Sequence, residues 1–385
     1  MEVRYFDNSA TTRIKEEVLN EMFPYLSKEY GNPSSLYSIG RSAKRAIEEA
    51  RRRVASLINC KPEEIYFTSC GSESDNTALK GIAYSNKNKG KHIITSKIEH
   101  PAILHSCQNL ENKGFEVTYL DVDKNGFVNL QSLENSIRSD TILISIMFAN
   151  NEIGTIEPIE EIAKIAHKNG IIFHTDAVQA CGNIPIDVQK MDIDMLSLSG
   201  HKIYAPKGIG ALYVKKGIEF ERFMDGGHQE KNKRSGTENV AEIVALGKAC
   251  QIAEKNMEEY QNKLRTLRNY CLEEMKKSFS NIHINGTMEK RLPGNINVSF
   301  EGQNSTELLY QLDEMSICAS GGSACSSGDN SPSHVLTAIG LPSDLAKSAI
   351  RFTFGDFNTK DDVDYLIAAI AHLIPSTAAD IMPPA

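Results

Sequence analysis

The sequence lacks a long apolar run and an excess of positive charge. No stretch approaches the roughly 18 consecutive apolar residues that a membrane-spanning helix needs. The first residues, MEVRYFDNSATT, contain no basic-then-apolar signal pattern, so we expect a cytoplasmic protein. The net charge of −8 argues against a general nucleic-acid or membrane-surface binder. We therefore expect neither nucleic acid nor membrane among its partners.

Clustered cysteines are also missing. The chain has eight cysteines, but they are scattered and no two form a C-x-x-C pair. This spacing disfavours a disulfide scaffold and a structural zinc site. Most of these cysteines, Cys318 included, are expected to be small buried apolar side chains. Cys325 differs, because the segment SGGSACSSGDNS around it consists of glycine, serine and other small or polar residues that cannot bury a thiol.

What the chain does contain, from about residue 40 to 215, is an alternation of two patterns. Short apolar segments such as KHIITS and GIIFHTDA read as strands. Segments such as GRSAKRAIEEARRRVASLI have apolar residues at helical spacing. Because the strands are nearly continuously apolar, the alternation predicts a mainly parallel sheet with helices on both faces.

A long helix, at about 238–278, ends this alternation. The strand patterns GNINVSF and AIRFTFG then follow among shorter helices, which indicates a smaller α+β unit. The predicted organisation is an N-terminal arm (1–15), a large domain (16–255) and a small C-terminal domain (256–385) that carries the Cys325 loop at about 320–333.

Four polar residues lie at the ends of predicted strands, where open α/β sheets bind their ligands. In FTSCGSESDN a helix is predicted to begin at Ser72 or Glu73, and the free N–H groups and the Ser72 hydroxyl there can bind an anion, although a simple serine N-cap also explains Ser72. Asp176 ends the strand in HTDAVQA. Lys202 is the last residue of SGHK, directly after a predicted strand, and His100 follows the strand KHIITS. Each also has a structural explanation: an ion pair, a surface lysine or a structural histidine.

One cofactor uses all four groups. Pyridoxal phosphate needs a lysine for covalent attachment, a carboxylate for its ring nitrogen, an anion site for its phosphate and a flat group against its ring. Lys202, Asp176, Ser72 and His100 supply one of each at the same predicted sheet edge. A lysine at that edge can lose its hydration, which lowers the pKa of the amine and makes it a nucleophile.

With these motifs, the sequence resembles the cysteine desulfurases of the NifS/IscS type, which are class-V, fold-type I pyridoxal-phosphate enzymes. The resemblance covers nearly the whole chain, from YFDNSATT to IRFTFGDFNT. Its markers in chain order are YGNPSS, TSCGSESDN, EHPAI, NNEIGT, HTDAVQ, SGHK, RSGTEN, PGNINVSF and GSACSSG. It implies an α/β fold: a large cofactor-binding domain with a mainly parallel, helix-covered sheet, and a smaller α+β C-terminal domain.

The resemblance also implies roles around the cofactor. Lys202 would bind it covalently, His100 would stack on its ring and shuttle protons, and Asp176 would pair with the ring nitrogen. The other implied contacts are Gln179 at the ring hydroxyl, Asn151 beside cofactor and substrate, and Gly71, Ser72, Ser199 and His201 at the phosphate. Thr237, in RSGTEN, would reach the phosphate of the other subunit, which implies a homodimer.

The substrate implied is L-cysteine. Arg351, in IRFTFG, would hold its carboxylate with a planar guanidinium. Cys325 would take the sulfur as a persulfide and release L-alanine, and its loop would swing outward to a scaffold protein of iron–sulfur cluster assembly. Cys325 would also be a ligand of a cluster shared with that scaffold.

Two departures from the family pattern stand at the phosphate site. Ser72 replaces the usual threonine and keeps the hydroxyl, whereas Cys70 replaces a glycine and restricts the backbone if that position needs a positive φ. Two alternatives use the same fold, a selenocysteine lyase and an aminotransferase, of which the second does not explain Cys325. A thiol carrier or iron–sulfur scaffold without pyridoxal phosphate is a third alternative, and the scattered cysteines argue against it.

Overall fold

The structure is a computed structural model that describes residues 3–321 and 332–374, so Cys325 and most of its predicted loop lie outside the described residues. The strands are β1 (Arg4–Tyr5), β2 (Ile65–Thr68), β3 (His92–Ser96), β4 (Glu116–Leu120), β5 (Thr141–Ser145), β6 (Ile172–Asp176), β7 (Met195–Ser199), β8 (Gly210–Val214), β9 (Ile282–Ile284), β10 (Asn295–Phe300), β11 (Ile317–Cys318) and β12 (Ala349–Thr353). The α-helices are α1 (Glu16–Met22), α2 (Pro24–Ser27), α3 (Ser38–Leu57), α4 (Gly71–Asn86), α5 (Pro101–Glu111), α6 (Leu130–Ser136), α7 (Ile159–Lys168), α8 (Gln229–Asn232), α9 (Val240–Ser278), α10 (Ser305–Glu314), α11 (His334–Ala338), α12 (Ser343–Lys347) and α13 (Lys360–Leu373).

A seven-stranded sheet, in the order β2-β8-β7-β6-β5-β3-β4, forms the centre of the larger unit. Only β8 runs against its neighbours, and the other strands are parallel. Strands β3, β5, β7 and β8 are buried along their whole length. One apolar cluster packs α3, α7 and α9 on one face, and a second packs α4 and α5 on the other. The predicted mainly parallel, helix-covered sheet is confirmed.

Helix α7 illustrates how the sequence sets the elements. Its apolar residues Ile159, Ile162, Ala163 and Ala166 form one buried stripe. Pro158 precedes the helix, and Gly170 follows it in a left-handed conformation (φ 67°) that favours glycine. The segment PIEEIAKIAHKNG is predicted to be a helix with these two boundaries, as observed.

A second, smaller core lies around the antiparallel sheet β12-β10-β9. The 39-residue α9 packs its first half on the large sheet and its second half, from Leu264 to Met275, on the small core. The predicted boundary between residues 255 and 256 therefore falls inside one continuous helix and stays a prediction. Cys318, on the two-residue strand β11 that pairs with β1, is only half-buried, so the expectation of a buried side chain there is wrong.

The parallel strands bring their carboxyl ends to one edge of the large sheet. The segments that follow β2, β3, β6 and β7 therefore lie side by side. Helix α4 starts at Gly71, one or two residues earlier than predicted. A Cβ atom at Gly71 would lie 2.7 Å from Cγ2 of Val178, so glycine allows α4 to begin directly against the segment after β6. None of the described helices is long and apolar enough to cross a bilayer.

Candidate active site

A cavity of about 230 Å³ opens at this sheet edge, and ten predicted site residues line it. They are Gly71, Ser72, His100, Asn151, Asp176, Gln179, Ser199, His201, Lys202 and Arg351. Two predicted residues are not among them. Thr237 is exposed and does not line the cavity, and Cys325 lies outside the described residues.

Lys202 enters the cavity from the short helical turn that follows β7. Its Nζ donates hydrogen bonds to the carbonyl oxygens of Ser9 (2.5 Å) and Ala10 (2.7 Å). The side-chain amide of Gln179 donates to the same Ser9 oxygen at 3.0 Å. The N-terminal arm is thus a wall of the cavity. Sequence analysis missed this role, because backbone carbonyl groups are present at every residue and leave no pattern.

Asp176 and His100 line the cavity close to one another. Burial raises the pKa of Asp176, while His100, the Val178 N–H group (2.9 Å) and Lys202 act in the opposite direction. Burial lowers the pKa of His100, so its ring is neutral at neutral pH. Its Nδ1 accepts a hydrogen bond from the Ala102 N–H group at 3.2 Å, so the neutral ring carries its proton on Nε2.

The first turn of α4 forms one end of the cavity. The N–H groups of Gly71 and Ser72 have no partner within the helix and carry the positive end of its dipole. The hydroxyl of Ser199 is buried nearby without a hydrogen-bond partner among the described residues. This end suits an anion. Cys70, the N-cap, has φ −174°, an extended backbone that any residue adopts, so replacing glycine there imposes no strain.

Arg351 reaches the cavity from β12 of the small sheet. Only 1% of its surface is exposed. Its Nη1 donates to the backbone oxygen of Asn151 at 3.0 Å, and its Nη2 donates to Oδ1 of Asp7 at 2.6 Å. Its Nε has no partner among the described residues. A buried N–H donor facing a cavity can be satisfied by the carboxylate of a ligand.

Sequence analysis missed one further carboxylate. Asp75, in the second turn of α4, is 1% exposed and lines the same cavity. A polar residue in a predicted helix is usually assigned to its exposed face, and nothing in SESDN distinguishes this aspartate from a surface one.

Comparison with known proteins identifies the family. The model of the family described as "Aminotransferase class-V" matches residues 4–366. The chain belongs to the class-V aminotransferase family. A cysteine desulfurase IscS of Methanosarcina thermophila is 52% identical over 370 residues, which cover 96% of this chain and 91% of that protein. A cysteine desulfurase IscS of Clostridium botulinum is 51% identical over 372 residues, which cover 96% and 94%.

Solved structures agree with this assignment. A NifS-like protein superposes with a TM-score of 0.91 at 38% identity, covering 97% of this chain and 99% of that chain. A structure of SspA in complex with cysteine superposes with a TM-score of 0.82 at 38% identity, covering 92% of this chain and 100% of that chain. Within its family the chain is an enzyme of the cysteine desulfurase type, and this family depends in general on pyridoxal phosphate.

Proposed function

We propose that this enzyme uses pyridoxal phosphate to remove sulfur from L-cysteine, releasing L-alanine and retaining the sulfur as a persulfide on Cys325. The observation that carries this proposal is the cavity that joins Lys202, Asp176 and the start of α4. A lysine amine, a buried carboxylate and an anion site are the three groups that this cofactor requires.

The residues present fit the cofactor at each end. The phosphate would take the free N–H groups of Gly71 and Ser72 and the unpaired hydroxyl of Ser199. Asp176 would pair with the ring nitrogen, and His100 would cover the ring. Gln179 and His201 would contact the cofactor beside Lys202. When bound to the lysine, the cofactor supplies an electron sink for carbanion chemistry.

Arg351 would hold the carboxylate of L-cysteine. Its Nε is buried and unpaired among the described residues, and its two Nη atoms are fixed by Asn151 and Asp7. A guanidinium fixed in this way directs the substrate carboxylate to one side of the cavity. The similar SspA structure, which is a complex with cysteine, supports this choice of substrate.

In the reaction, the Lys202 amine would take the α-proton of the substrate. Thiolate, not thiol, is the nucleophile, so Cys325 must first lose its proton. Neutral His100 would move protons in the cavity. The Cys325 thiolate attacks the substrate sulfur, the S–S bond of the persulfide forms, and the C–S bond breaks. The carbon that lost sulfur would take up the proton given up by Cys325, and the α-carbon would regain the proton held by Lys202, which completes L-alanine. Atoms and electrons then balance without an added oxidant or reductant.

We also infer a homodimer in which Thr237 reaches the phosphate of the partner's site. Thr237 is exposed on a segment held by two ion pairs: Glu230 bonds Arg51 through both carboxylate oxygens (2.7 and 2.8 Å), and Arg234 bonds Glu73 (2.9 Å). These ion pairs fix the position of the segment, so that Thr237 can contact a second copy of the chain.

A surface rich in apolar side chains supports the same dimer. Seven of the thirteen large apolar side chains that are exposed in the described part of the chain lie between Leu19 and Ile39. Leu36 is 88% exposed and Tyr30 is 72% exposed. Exposed apolar groups at this density are typical of a protein–protein interface. We infer that a second copy covers them.

The sulfur acceptor we infer is a scaffold protein of iron–sulfur cluster assembly, on the strength of relatives named IscS. Cys325 as a ligand of a cluster shared with that scaffold, and the cytoplasmic location, stay predictions from the sequence.

The test is a pair of lysine variants. Lys202→Ala should fold but show no near-ultraviolet-to-blue absorbance band that borohydride abolishes, and it should release no L-alanine from L-cysteine. Lys207→Ala, which removes an exposed lysine five residues further on, is the matched control and should keep both properties. Alanine release by Lys202→Ala at the control's rate would contradict the proposed function.

A further inference from the structure

A second carboxylate, that of Asp75, lies beside Asp176 and has no role in the reaction proposed above. Asp75 is 1% exposed, and both of its carboxylate oxygens lack a hydrogen-bond partner among the described residues. Polar atoms of Asp75, Asp176 and His100 all lie within 4.8 Å of one another. Buried carboxylates this close do not both ionise readily, because each charge raises the free energy of the other.

The neighbouring donors decide which carboxylate is ionised. Asp176 accepts the Val178 N–H group at 2.9 Å and lies near Lys202, and both of these favour its charged form. For Asp75, burial and then the charge of Asp176 raise the pKa well above the usual range, and they act more strongly than the nearby Ser197 hydroxyl, which lowers it. The negative charge therefore belongs on Asp176 and the proton on Asp75.

No nearby cation in the described part of the chain changes this assignment. His174 on β6 lies 3.8 Å from Asp75, measured from Nε2 to Oδ1, but burial lowers the pKa of His174 to about 3, so the ring is neutral. The other titratable or polar groups that face Asp75 are Ser197 on β7, Glu99 and His100 after β3, and Cys70 at the start of α4. Burial raises the pKa of Glu99 to about 8, so this group too is neutral near pH 7.

We propose that Asp75 is a positioning residue that stays a neutral carboxylic acid, fills the space beside Asp176 and leaves Asp176 as the single anion opposite the cofactor's ring nitrogen. This inference rests on the proposed function, since the ring nitrogen is that of pyridoxal phosphate. One anion against one protonated ring nitrogen gives a neutral buried pair. A second anion would leave an unbalanced buried charge, which is costly.

Infrared spectroscopy reports the proton directly. The holoenzyme at pH 7 should show a protonated-carboxyl C=O band that Asp75→Asn removes. Glu157→Gln is the matched control, because Glu157 is also buried with a pKa raised to about 8 and should lose a separate band. A spectrum in which Asp75→Asn removes carboxylate absorption, and no protonated-carboxyl band, would overturn the proposal.

Cofactor binding provides the second readout. Asp75→Ala should weaken pyridoxal-phosphate binding about tenfold, because water would enter beside Asp176. Asp75→Asn should restore that affinity, because the amide is neutral and has nearly the same shape. An Asn variant that binds the cofactor as weakly as the Ala variant would contradict the proposal.

The two readouts also separate this inference from the proposed function. A wild-type protein that binds no pyridoxal phosphate contradicts the proposed function. A protein that binds the cofactor but lacks the protonated-carboxyl band contradicts only the role of Asp75.

Discussion

Nη2 of Arg351 donates a hydrogen bond to the Asp7 carboxylate at 2.6 Å and thereby couples the small sheet to the N-terminal arm. The carbonyl oxygens of Ser9 and Ala10, two and three residues later, accept hydrogen bonds from Lys202. One short segment therefore contacts both the arginine proposed to hold the substrate and the lysine proposed to hold the cofactor. The arm fixes the relative position of two basic side chains, one from β12 and one from the turn that follows β7.

Replacing Asp7 by asparagine should destabilise the enzyme by about 2 kcal/mol, because a buried arginine loses its anionic partner. L-alanine, which carries the same carboxylate as the substrate, should raise the melting temperature of Asp7→Asn more than that of the wild type, since it supplies the missing anion. Thermal unfolding of the holoenzyme with and without L-alanine measures both effects.

Asp121→Asn is the matched control. Asp121 pairs with Lys97 at 2.5 Å on the surface, where its side chain is 84% exposed. Exposed ion pairs contribute about 0–1 kcal/mol, so this variant should unfold close to the wild type. Equal stability of the Asp7 and Asp121 variants would show that the Arg351–Asp7 pair does not stabilise the site.

His174 predicts an acid-sensitive step in stability. Its ring is buried between the hydroxyls of Ser145 (2.9 Å) and Ser197 (3.0 Å), and burial lowers its pKa from 6.5 to about 3. The unfolded chain therefore binds a proton below pH 6.5 that the folded protein does not bind. Stability from this group is present above pH 6.5 and is lost as the pH falls towards 3. The free energy of unfolding should fall by up to about 1.4 kcal/mol for each pH unit.

His174→Gln removes that titration and should flatten the dependence of stability on pH between 6.5 and 5. Denaturant unfolding at these two pH values, for wild type and variant, measures the difference. His283→Gln, at a side chain that is 49% exposed, is the control and should follow the wild-type slope. Identical slopes for wild type and His174→Gln would contradict the assignment of a buried neutral ring.

Mixed dimers test the position of Thr237. One subunit carries Thr237→Ala and the other carries Lys202→Ala. If Thr237 acts across the interface, one of the two sites has both residues intact, and the dimer should show about half of the wild-type activity per dimer. If Thr237 acts within its own subunit, activity should fall to half of that of the Thr237→Ala homodimer. A monomer in sedimentation at assay concentration would contradict sharing altogether.

Much of the fold and the cavity follows from the sequence, because a parallel sheet gathers the residues at its strand ends. The long strands and helices have clear periodicity, and α13 is predicted at residues 360–373, as observed. The two- and three-residue strands β1, β9 and β11 were missed, since so few residues show no periodicity. Their pairing depends on tertiary contacts alone.

The sequence did not predict site residues that act through backbone groups, or whose role depends on being buried. The Ser9 and Ala10 carbonyl groups that bind Lys202 have no sequence signal. In the sequence, Asp7 and Asp75 look like ordinary surface carboxylates. The fold buries Asp75 and pairs Asp7 with Arg351. The charge balance in the cavity depends on distances between its charged groups, and sequence periodicity does not predict those distances.

The role of Cys325 as acceptor of the substrate sulfur is central, and peptide mass spectrometry after a single turnover with L-cysteine tests it most directly. The peptide containing Cys325 should gain the mass of one sulfur atom as one L-alanine is released per active site. Cys325→Ala should still bind pyridoxal phosphate, because the cofactor contacts we propose lie elsewhere, but should form neither product. A persulfide on Cys318 or Cys70, or undiminished alanine release by Cys325→Ala, would contradict this role.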